Sequence, residues 1–483
     1  MQLNSFAFFG FFAVIFILYW LTAPHWRVPL LFCASMGFYA LFGLGTTALL
    51  LVCMLLCWAG GLWVAQKPTR ARLALAVTLA LLPLLAFKYL ALFWQGAGAL
   101  ATLLGGSLPA FRLSWVQPVG ISYYTFQMIS YLVDIYRGKA APQKNFLVCA
   151  VTLSLFLQIT AGPLTRPRTL APQLLAPRPA FDTAKAVGAA QLILLGLFKK
   201  IVLADALAYY TAQVFADPTR LYGLSLILNA VFYAVQIYAD FSGYTDLARG
   251  FGGLLGLELA ENFRAPYLSR SVREFWRRWH ISLSSWLAEY IYIPLGGSRV
   301  SRPRHYFNLF FTFLLSGLWH GASVTMLVWG ALHGGYVVAG TATRGLRQAL
   351  YQKLHIGIDS LPARIWQTLC SFVLVCFGWV FFSAPNLTTA WYIVTHLFTG
   401  FVPTLNHVKE SVVLLGLSAE GALRFGILFA ALLAIDFATK DSSWPAFLAA
   451  RRRPVQLIIC WLLAAGIIFW GTLGGGSFMY FQF

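Results

Sequence analysis

Charged residues are scarce in this sequence: Asp, Glu, Lys and Arg make up only 10% of its 483 residues. Soluble domains carry roughly 25% charged residues. Hydrophobic residues account for 59% of the chain, and its mean hydropathy is +0.73. This composition excludes a soluble protein held by a single anchor, and we predict an integral membrane protein that crosses the bilayer many times.

Acidic residues are the scarcest charged class, with 15 Asp and Glu against 35 Lys and Arg, which gives a formal net charge of +20. The basic residues fall in short loops between apolar runs. That distribution is typical of the positive-inside rule and of attraction to anionic headgroups. We therefore predict membrane lipids as partners of these loops, and no nucleic acid.

Several chemical motifs are missing. None of the seven cysteines forms a C-x-x-C pair, which argues against a disulfide framework and a thiolate metal site. A Walker-type phosphate loop is also missing, which argues against an ATP-driven pump. His280, His305, His320 and His333 lack the i, i+4 spacing that aligns two metal ligands on a helix. We predict neither a bound metal nor a cofactor.

The apolar runs predict an all-α, polytopic helix bundle with about twelve crossings, because a span needs roughly 20 mostly apolar residues. Met1–Ser5 lacks the basic start of a cleavable signal. No internal repeat or long linker is visible, so we predict one transmembrane domain over residues 1–483, with a catalytic core of about 118–340. The predicted spans lie near residues 5–21, 28–43, 46–65, 73–94, 118–136, 187–204, 222–239, 305–320, 323–340, 365–382, 423–438 and 456–472.

The basic loops all fall on one side of the membrane if the N-terminus starts outside and twelve spans follow. Both termini are then predicted to lie outside. This parity holds only if the apolar run 146–161, which basic loops flank, is a re-entrant or in-plane element buried within protein. That run leads into Gly162-Pro163, where a helix cannot continue.

His320 is the strongest catalytic candidate, because a titratable imidazole inside the membrane region is costly unless it is buried against a specific partner or used for chemistry. It stands in Gly317-Leu318-Trp319-His320-Gly321, where the glycines leave room for a ligand or another backbone and Trp319 offers an apolar wall. A desolvated, neutral histidine can act as a general base. The alternative is a core histidine that is bonded to a backbone carbonyl.

A second candidate, His280, follows Arg277, Arg278 and Trp279 in the aromatic stretch 240–304. Arginines beside a histidine suit a phosphate or the anionic arm of a carrier, although both can also be ordinary positive-inside residues. Asn308, twelve residues before His320, could orient a group in the core. The predicted donor-binding residues are Asn308, Trp319, Arg277, Arg278 and Trp279.

Other polar residues are predicted to be structural. Asp240 and Asp246 are expected to pair with nearby arginines or to cap a helix, and Asp134 is expected to form a salt bridge. His333, in Gly330-Ala331-Leu332-His333-Gly334, is expected to be structural rather than catalytic.

Taken together, these motifs resemble the membrane-bound O-acyltransferase family, in particular its bacterial branch of alginate O-acetylation proteins. The resemblance begins at Pro118–Gln127 and continues through Gly162-Pro163, Asp240–Asp246, the 274–297 block and the interval from Asn308 to His320. The C-terminal Phe478–Phe483 also looks similar to alginate-type members.

The resemblance implies that His320 is the catalytic histidine and His280 a second functional residue. It further implies a bundle around a central tunnel, with an acyl donor entering from the cytosol. The expected function is O-acetylation of an exopolysaccharide such as alginate or cellulose at the bacterial inner membrane, with acetyl-CoA as donor substrate. A periplasmic acetyltransferase of SGNH type is the expected partner and the polysaccharide the acceptor. Two alternatives remain: D-alanyl transfer from a carrier protein to teichoic acid, and transport of an acyl carrier or glycan without chemistry.

Overall fold

Helices make up the regular secondary structure of the described residues in a computed structural model, which covers 1–109, 117–177, 180–402, 404–472 and 478–479. The predicted all-α class is therefore confirmed. Residues 480–483 of the C-terminal motif lie outside the described residues. The chain divides into two compact units. Two of the boundaries between them fall inside the helices Thr183–Leu197 and Leu224–Leu254, and a third falls in the loop at residues 260–261.

The first unit contains residues 1–190 and 247–260. Ser5 starts its first helix by accepting a hydrogen bond from the Phe8 amide, which satisfies one of the donors that a helix N-terminus leaves over. Its helices are α1 (Phe6–Leu21), α2 (Arg27–Ala40), α3 (Leu44–Gln66), α4 (Arg70–Leu84), α5 (Leu90–Leu103), α6 (Ile121–Tyr136), α7 (Phe146–Ser154), α8 (Pro167–Leu175) and the start of α9 (Thr183–Leu197).

The core of the first unit combines aromatic contacts with one helix that is buried on nearly all sides. The Phe251 ring centroid lies 5.0 Å from that of Phe8 and 4.5 Å from that of Phe12. Almost every residue of α6 is buried, including the polar side chains of Ser122, Thr125, Gln127 and Ser130. Its one acid, Asp134, pairs with Arg168 at 3.1 Å, so the predicted salt bridge of Asp134 is confirmed.

The predicted re-entrant run contains a short helix, α7, which has nine residues. At 1.5 Å per residue such a helix is roughly 14 Å long, too short to cross a hydrocarbon layer of about 30 Å. The helix ends at Ser154, before the Gly162-Pro163 break that the sequence predicted as its end, and turns follow. Because residues 148–166 are buried, the structure is consistent with a non-spanning element enclosed by protein.

The second unit contains residues 191–246 and 261–479. Its helices are the end of α9, α10 (Asp205–Ala216), α11 (Leu224–Leu254) except for its last turns, which belong to the first unit, α12 (Val272–Arg278), α13 (Ile281–Leu287), α14 (Arg302–His320), α15 (Val324–Ala342), α16 (Arg344–Lys353), α17 (Leu361–Ser383), α18 (Leu387–His396), α19 (Leu405–Leu414), α20 (Ala419–Thr439), α21 (Trp444–Ala449) and α22 (Arg453–Trp470).

Within the described residues, seven helices are long and apolar enough to cross a membrane. All twelve predicted spans nevertheless coincide with helices. Several of these, including α2 with 14 residues and α6 with 16, are shorter than a full crossing requires. The count of twelve crossings and the single-domain assignment therefore stay predictions.

Candidate active site

Two helices packed backbone against backbone place His320 in the second unit. Gly317 on α14 lies so close to α15 that a Cβ there would collide with the Met326 carbonyl oxygen. A Cβ on Gly330 of α15 would come within 2.6 Å of the Phe313 carbonyl oxygen. The space predicted around Gly317 is thus occupied by another backbone. His320 is the last residue of α14, and Gly321 follows as its C-cap.

Aromatic rings surround the His320 imidazole, which is only 3% exposed. Its ring centroid lies 4.8 Å from Trp319, 5.1 Å from Trp329 and 5.2 Å from Phe382, each at a steep angle. The apolar wall predicted from Trp319 is present, and two further rings complete it. Such an enclosure keeps bulk water away from the imidazole.

His280 is fully buried at the N-terminus of α13. Its Nδ1 lies 3.4 Å from Oδ1 of Asn262, and the same oxygen accepts a hydrogen bond from the Ser282 amide at 3.2 Å. Because an amide oxygen faces Nδ1, the proton of a neutral ring belongs on Nδ1 and the lone pair on Nε2. Burial lowers the pKa of His280 to about 3, so the ring is neutral at physiological pH.

The two predicted catalytic histidines share one tryptophan. The Trp319 ring centroid lies 6.2 Å from that of His280 and 4.8 Å from that of His320. Two histidines 40 positions apart in the sequence are thus both brought close to a single indole. This places both histidines in one site, whereas their catalytic roles stay predictions.

His333 contacts Trp329, as His320 does, and also forms a hydrogen bond with Trp276. It is fully buried, and its Nδ1 accepts a hydrogen bond from the Trp276 indole N–H at 3.2 Å. The Trp329 ring centroid lies 4.9 Å from His333 and 5.1 Å from His320. Gly378 makes room for the ring, since a Cβ there would approach Nε2 of His333 to 2.6 Å. These contacts favour the structural role predicted for His333.

Among the predicted donor-binding residues, Arg277 faces open space. It lines a cavity of about 460 Å³, together with Arg273, Trp276, Ser285, Tyr292 and Thr312. We call this the Arg277 cavity. No Asp or Glu lines it. The indole of Trp276 forms part of the wall of the Arg277 cavity and also donates a hydrogen bond to His333.

The remaining donor-binding candidates contact protein. Arg278 pairs with Glu274 at 2.9 Å, and Trp279 is buried 5.0 Å from the Trp379 ring. Asn308 is fully buried and donates to the carbonyl oxygens of Leu295 and Gly297 at 3.1 and 3.2 Å. These two hydrogen bonds attach the loop that precedes α14 to the helix itself. Their roles in donor binding stay predictions.

A buried charge network fixes the acids of α11. Lys200 pairs with Asp240 at 2.7 Å and with Asp205 at 2.8 Å, while Lys199 pairs with Asp246 at 2.8 Å. The salt-bridge role predicted for Asp240 and Asp246 is confirmed, but the partners are lysines of the neighbouring helical segment rather than arginines. The sequence feature that could have predicted these partners is the Lys199-Lys200 pair inside an apolar run, because two buried lysines are costly unless acids neutralise them.

Sequence reasoning missed the supporting residues Asn262, Trp276, Trp329 and Phe382. One available signal was the spacing of Trp329 and His333, which share one face of a helix at i, i+4. Among the described residues, no group of three or more His, Cys, Asp or Glu side chains could hold a metal ion.

The sequence of this site matches known proteins. A model of the membrane-bound O-acyltransferase family matches residues 153–383, which include His280, His320 and His333. A probable alginate O-acetylase AlgI of Pseudomonas syringae pv. tomato is 38% identical over 399 residues, covering 81% of this chain and 74% of the relative. The chain belongs to the membrane-bound O-acyltransferase family.

Other members extend this relationship. A probable alginate O-acetylase AlgI of Azotobacter vinelandii is 36% identical over 421 residues, covering 85% of this chain and 81% of the relative. A peptidoglycan O-acetyltransferase of Helicobacter pylori is 29% identical over 527 residues, covering 98% of this chain and 96% of the relative. The predicted family is confirmed, and the chain is a polytopic membrane enzyme of the acyltransferase class.

Proposed function

We propose that this enzyme moves an acetyl group from a cytoplasmic acyl-CoA donor across the inner membrane for O-acetylation of an exopolysaccharide of the alginate or cellulose type. The observation that carries the proposal is the aromatic enclosure in which His320 and His280 share Trp319. The names of the relatives, alginate O-acetylase and peptidoglycan O-acetyltransferase, support an acetyl group and a glycan acceptor.

His320 acts as the general base in this proposal. Its imidazole takes the proton of an acceptor hydroxyl while the hydroxyl oxygen bonds to the acyl carbon of the thioester. The carbon–sulfur bond then breaks, and the imidazolium returns the proton to the departing thiolate. The products are an ester and a free thiol, with His320 neutral again. General base catalysis of this kind typically contributes about 10²–10⁴-fold.

The aromatic enclosure protects the thioester in this scheme. Trp319, Trp329 and Phe382 surround the imidazole at ring distances of 4.8–5.2 Å. Excluding water favours transfer to the acceptor over hydrolysis. His280 contributes a neutral ring with its lone pair on Nε2, which can accept a hydrogen bond from a bound substrate.

The Arg277 cavity is the proposed entry for the donor. Arg273 and Arg277 offer positive charge to an anionic arm, and Trp276 and Phe313 offer apolar surface to a pantetheine chain. The positive-inside rule supports a cytoplasmic position for this side of the chain, with both termini outside, because the basic loops would then all face the cytoplasm. An outward-facing periplasmic acetyltransferase of SGNH type is proposed to complete transfer onto the polymer.

The acetyl content of the secreted polysaccharide tests the proposal. A strain that lacks the gene is complemented with wild type, His320→Ala or His305→Ala at equal membrane levels. His305 lies at the other end of α14 and serves as the matched control. We expect His320→Ala to lose nearly all O-acetyl ester with unchanged polymer yield, while His305→Ala retains it.

Two outcomes would contradict this assignment. Acetylation that persists in His320→Ala would remove the histidine from the chemistry. Loss of D-alanyl ester from the envelope, with acetyl ester unchanged, would assign the enzyme to teichoic acid instead.

A further inference from the structure

A second cavity in the same unit has a strongly basic lining. It measures about 700 Å³ and lies where α15, α16 and α17 meet the start of α12. Four arginines line it and no Asp or Glu does; they are Arg270, Arg273, Arg344 and Arg347. We call it the Arg344 cavity. Positive charge concentrated in this way favours an anionic ligand.

Little of this charge is neutralised by protein. Arg270 pairs with Asp359 at 2.7 Å, an exposed contact beside the cavity. Arg347 donates to the Gly340 carbonyl oxygen at 2.8 Å, which leaves its charge in place. Arg273 and Arg344 have no acidic partner among the residues that the structure describes. The cavity therefore retains about three uncompensated positive charges.

The surroundings of the Arg344 cavity are apolar and exposed. Trp366, which lines it, is 63% exposed, and Leu361 and Ile365 on the same helix are 70% and 52% exposed. On α16, Leu346 and Leu350 are 73% and 54% exposed, and Arg344 and Arg347 lie among them. A short amphipathic helix with exposed leucines and a tryptophan beside it is typical of the membrane–water interface.

We propose that the Arg344 cavity binds the phosphate of an anionic phospholipid, whose acyl chains lie along the exposed apolar side of α17. Basic pockets between membrane helices on the cytoplasmic side favour such headgroups. The proposal relies on the orientation given by the basic loops but not on acyl transfer. A phosphate of the acyl-CoA donor is the other source of the same chemistry, because Arg273 also lines the Arg277 cavity.

Lipid binding to the purified full-length protein tests this site. Phosphatidylglycerol, phosphatidylcholine, inorganic phosphate and acetyl-CoA are titrated separately, and binding is measured by native mass spectrometry. The test variant is Arg344→Gln/Arg347→Gln. The control is Arg451→Gln/Arg452→Gln, which removes two exposed arginines outside the cavity.

We expect phosphatidylglycerol to bind wild type and the control equally, and phosphatidylcholine and inorganic phosphate to bind far more weakly. The test variant should bind phosphatidylglycerol about thirtyfold more weakly, since each arginine near a membrane surface contributes about a factor of five. Acetyl-CoA affinity should not change. Thermal unfolding of the variant in phosphatidylcholine discs should match wild type, and the single Arg344→Gln change should weaken lipid binding about fivefold.

The proposal fails if phosphatidylcholine binds as tightly as phosphatidylglycerol, or if the control loses as much binding as the test variant. It also fails if the test variant loses acetyl-CoA affinity and acetyl-CoA displaces the lipid, because the cavity would then belong to the donor. An unchanged affinity in the test variant would likewise place the lipid elsewhere.

Discussion

His280 holds a backbone conformation that few side chains adopt. Its φ of +43° lies in the left-handed region, where a non-glycine residue costs roughly 1–2 kcal/mol. Histidine and asparagine occur there more often than most residues. The buried contact to Asn262 accompanies this conformation. Strained backbone of this kind clusters at functional sites, and here it accompanies a buried imidazole whose ring lies 4.7 Å from Phe241 and 6.2 Å from Trp319.

The low pKa of His280 predicts a dependence of stability on pH. The folded value of about 3 lies below the ordinary 6.5. Between these values the unfolded chain binds a proton that the folded chain does not, so stability falls as pH falls below about 6.5. At pH 5 the loss amounts to about 2 kcal/mol. Above about pH 7 the residue contributes no pH dependence.

Thermal unfolding in detergent at pH 7.5 and pH 5 measures this loss. The comparison is with His280→Asn, which tolerates the left-handed backbone but does not titrate. We expect the midpoint of wild type to fall further on acidification than that of His280→Asn. Equal decreases in the two proteins would mean that His280 titrates normally in the folded state.

At the residue scale, the sequence predicted the contacts of a histidine only where the partner is a neighbour in the chain. The motif around His320 correctly indicated an apolar wall, because Trp319 is its neighbour. The amide partner of His280 is 18 residues away, and the indole that bonds His333 is 57 residues away. Such pairs depend on how helices pack, which single-residue chemistry does not specify.

At the element scale, the contact between α14 and α15 depends on two glycines. Gly317 and Gly330 let the two backbones approach directly, and His320 and Trp329 come together as a result. A Cβ on Gly335, also on α15, would meet no neighbouring element within 4 Å. Alanine substitutions at these three glycines therefore distinguish the effect of helix packing on stability from the effect of helix propensity.

Gly317→Ala is expected to destabilise the protein and to lower acetylation, since its Cβ would collide with the Met326 carbonyl oxygen. Overpacking of this kind typically costs about 1–3 kcal/mol. Gly335→Ala should leave stability unchanged or slightly higher, because alanine is the better helix former. Thermal midpoint and polymer acetyl content of both variants provide the measurement. Equal behaviour of the two variants would contradict the close helix contact.

Apolar runs predicted the positions of the helices well but not their lengths. The run at 28–43 contains a helix of only 14 residues, whereas the run at 222–239 is part of a helix of 31. Hydropathy does not reveal such differences because buried helices in a large membrane protein are as apolar as spanning ones.

At the scale of the whole molecule, the sequence predicted the fold class, the family and the enzyme class. It did not predict the two cavities, because each is formed by residues from several helices and its empty space has no sequence signature. Arg273 lines both cavities, although the sequence predicted donor binding only for the neighbouring Arg277 and Arg278. Charge patterns indicate which side is basic, but packing decides which arginines remain accessible.

Acetyl transfer across the membrane can be measured in inverted membrane vesicles from the complemented strain. In these vesicles the cytoplasmic face is outward, so acetyl-CoA labelled in the acetyl group reaches the proposed donor side. We predict labelled ester inside the vesicles and free CoA outside with wild type and His305→Ala, and a rate about 10²–10⁴-fold lower with His320→Ala. Labelled ester formed at an equal rate by His320→Ala would remove His320 from the transfer step, and intact acetyl-CoA inside the vesicles would show transport of the donor without acetyl transfer.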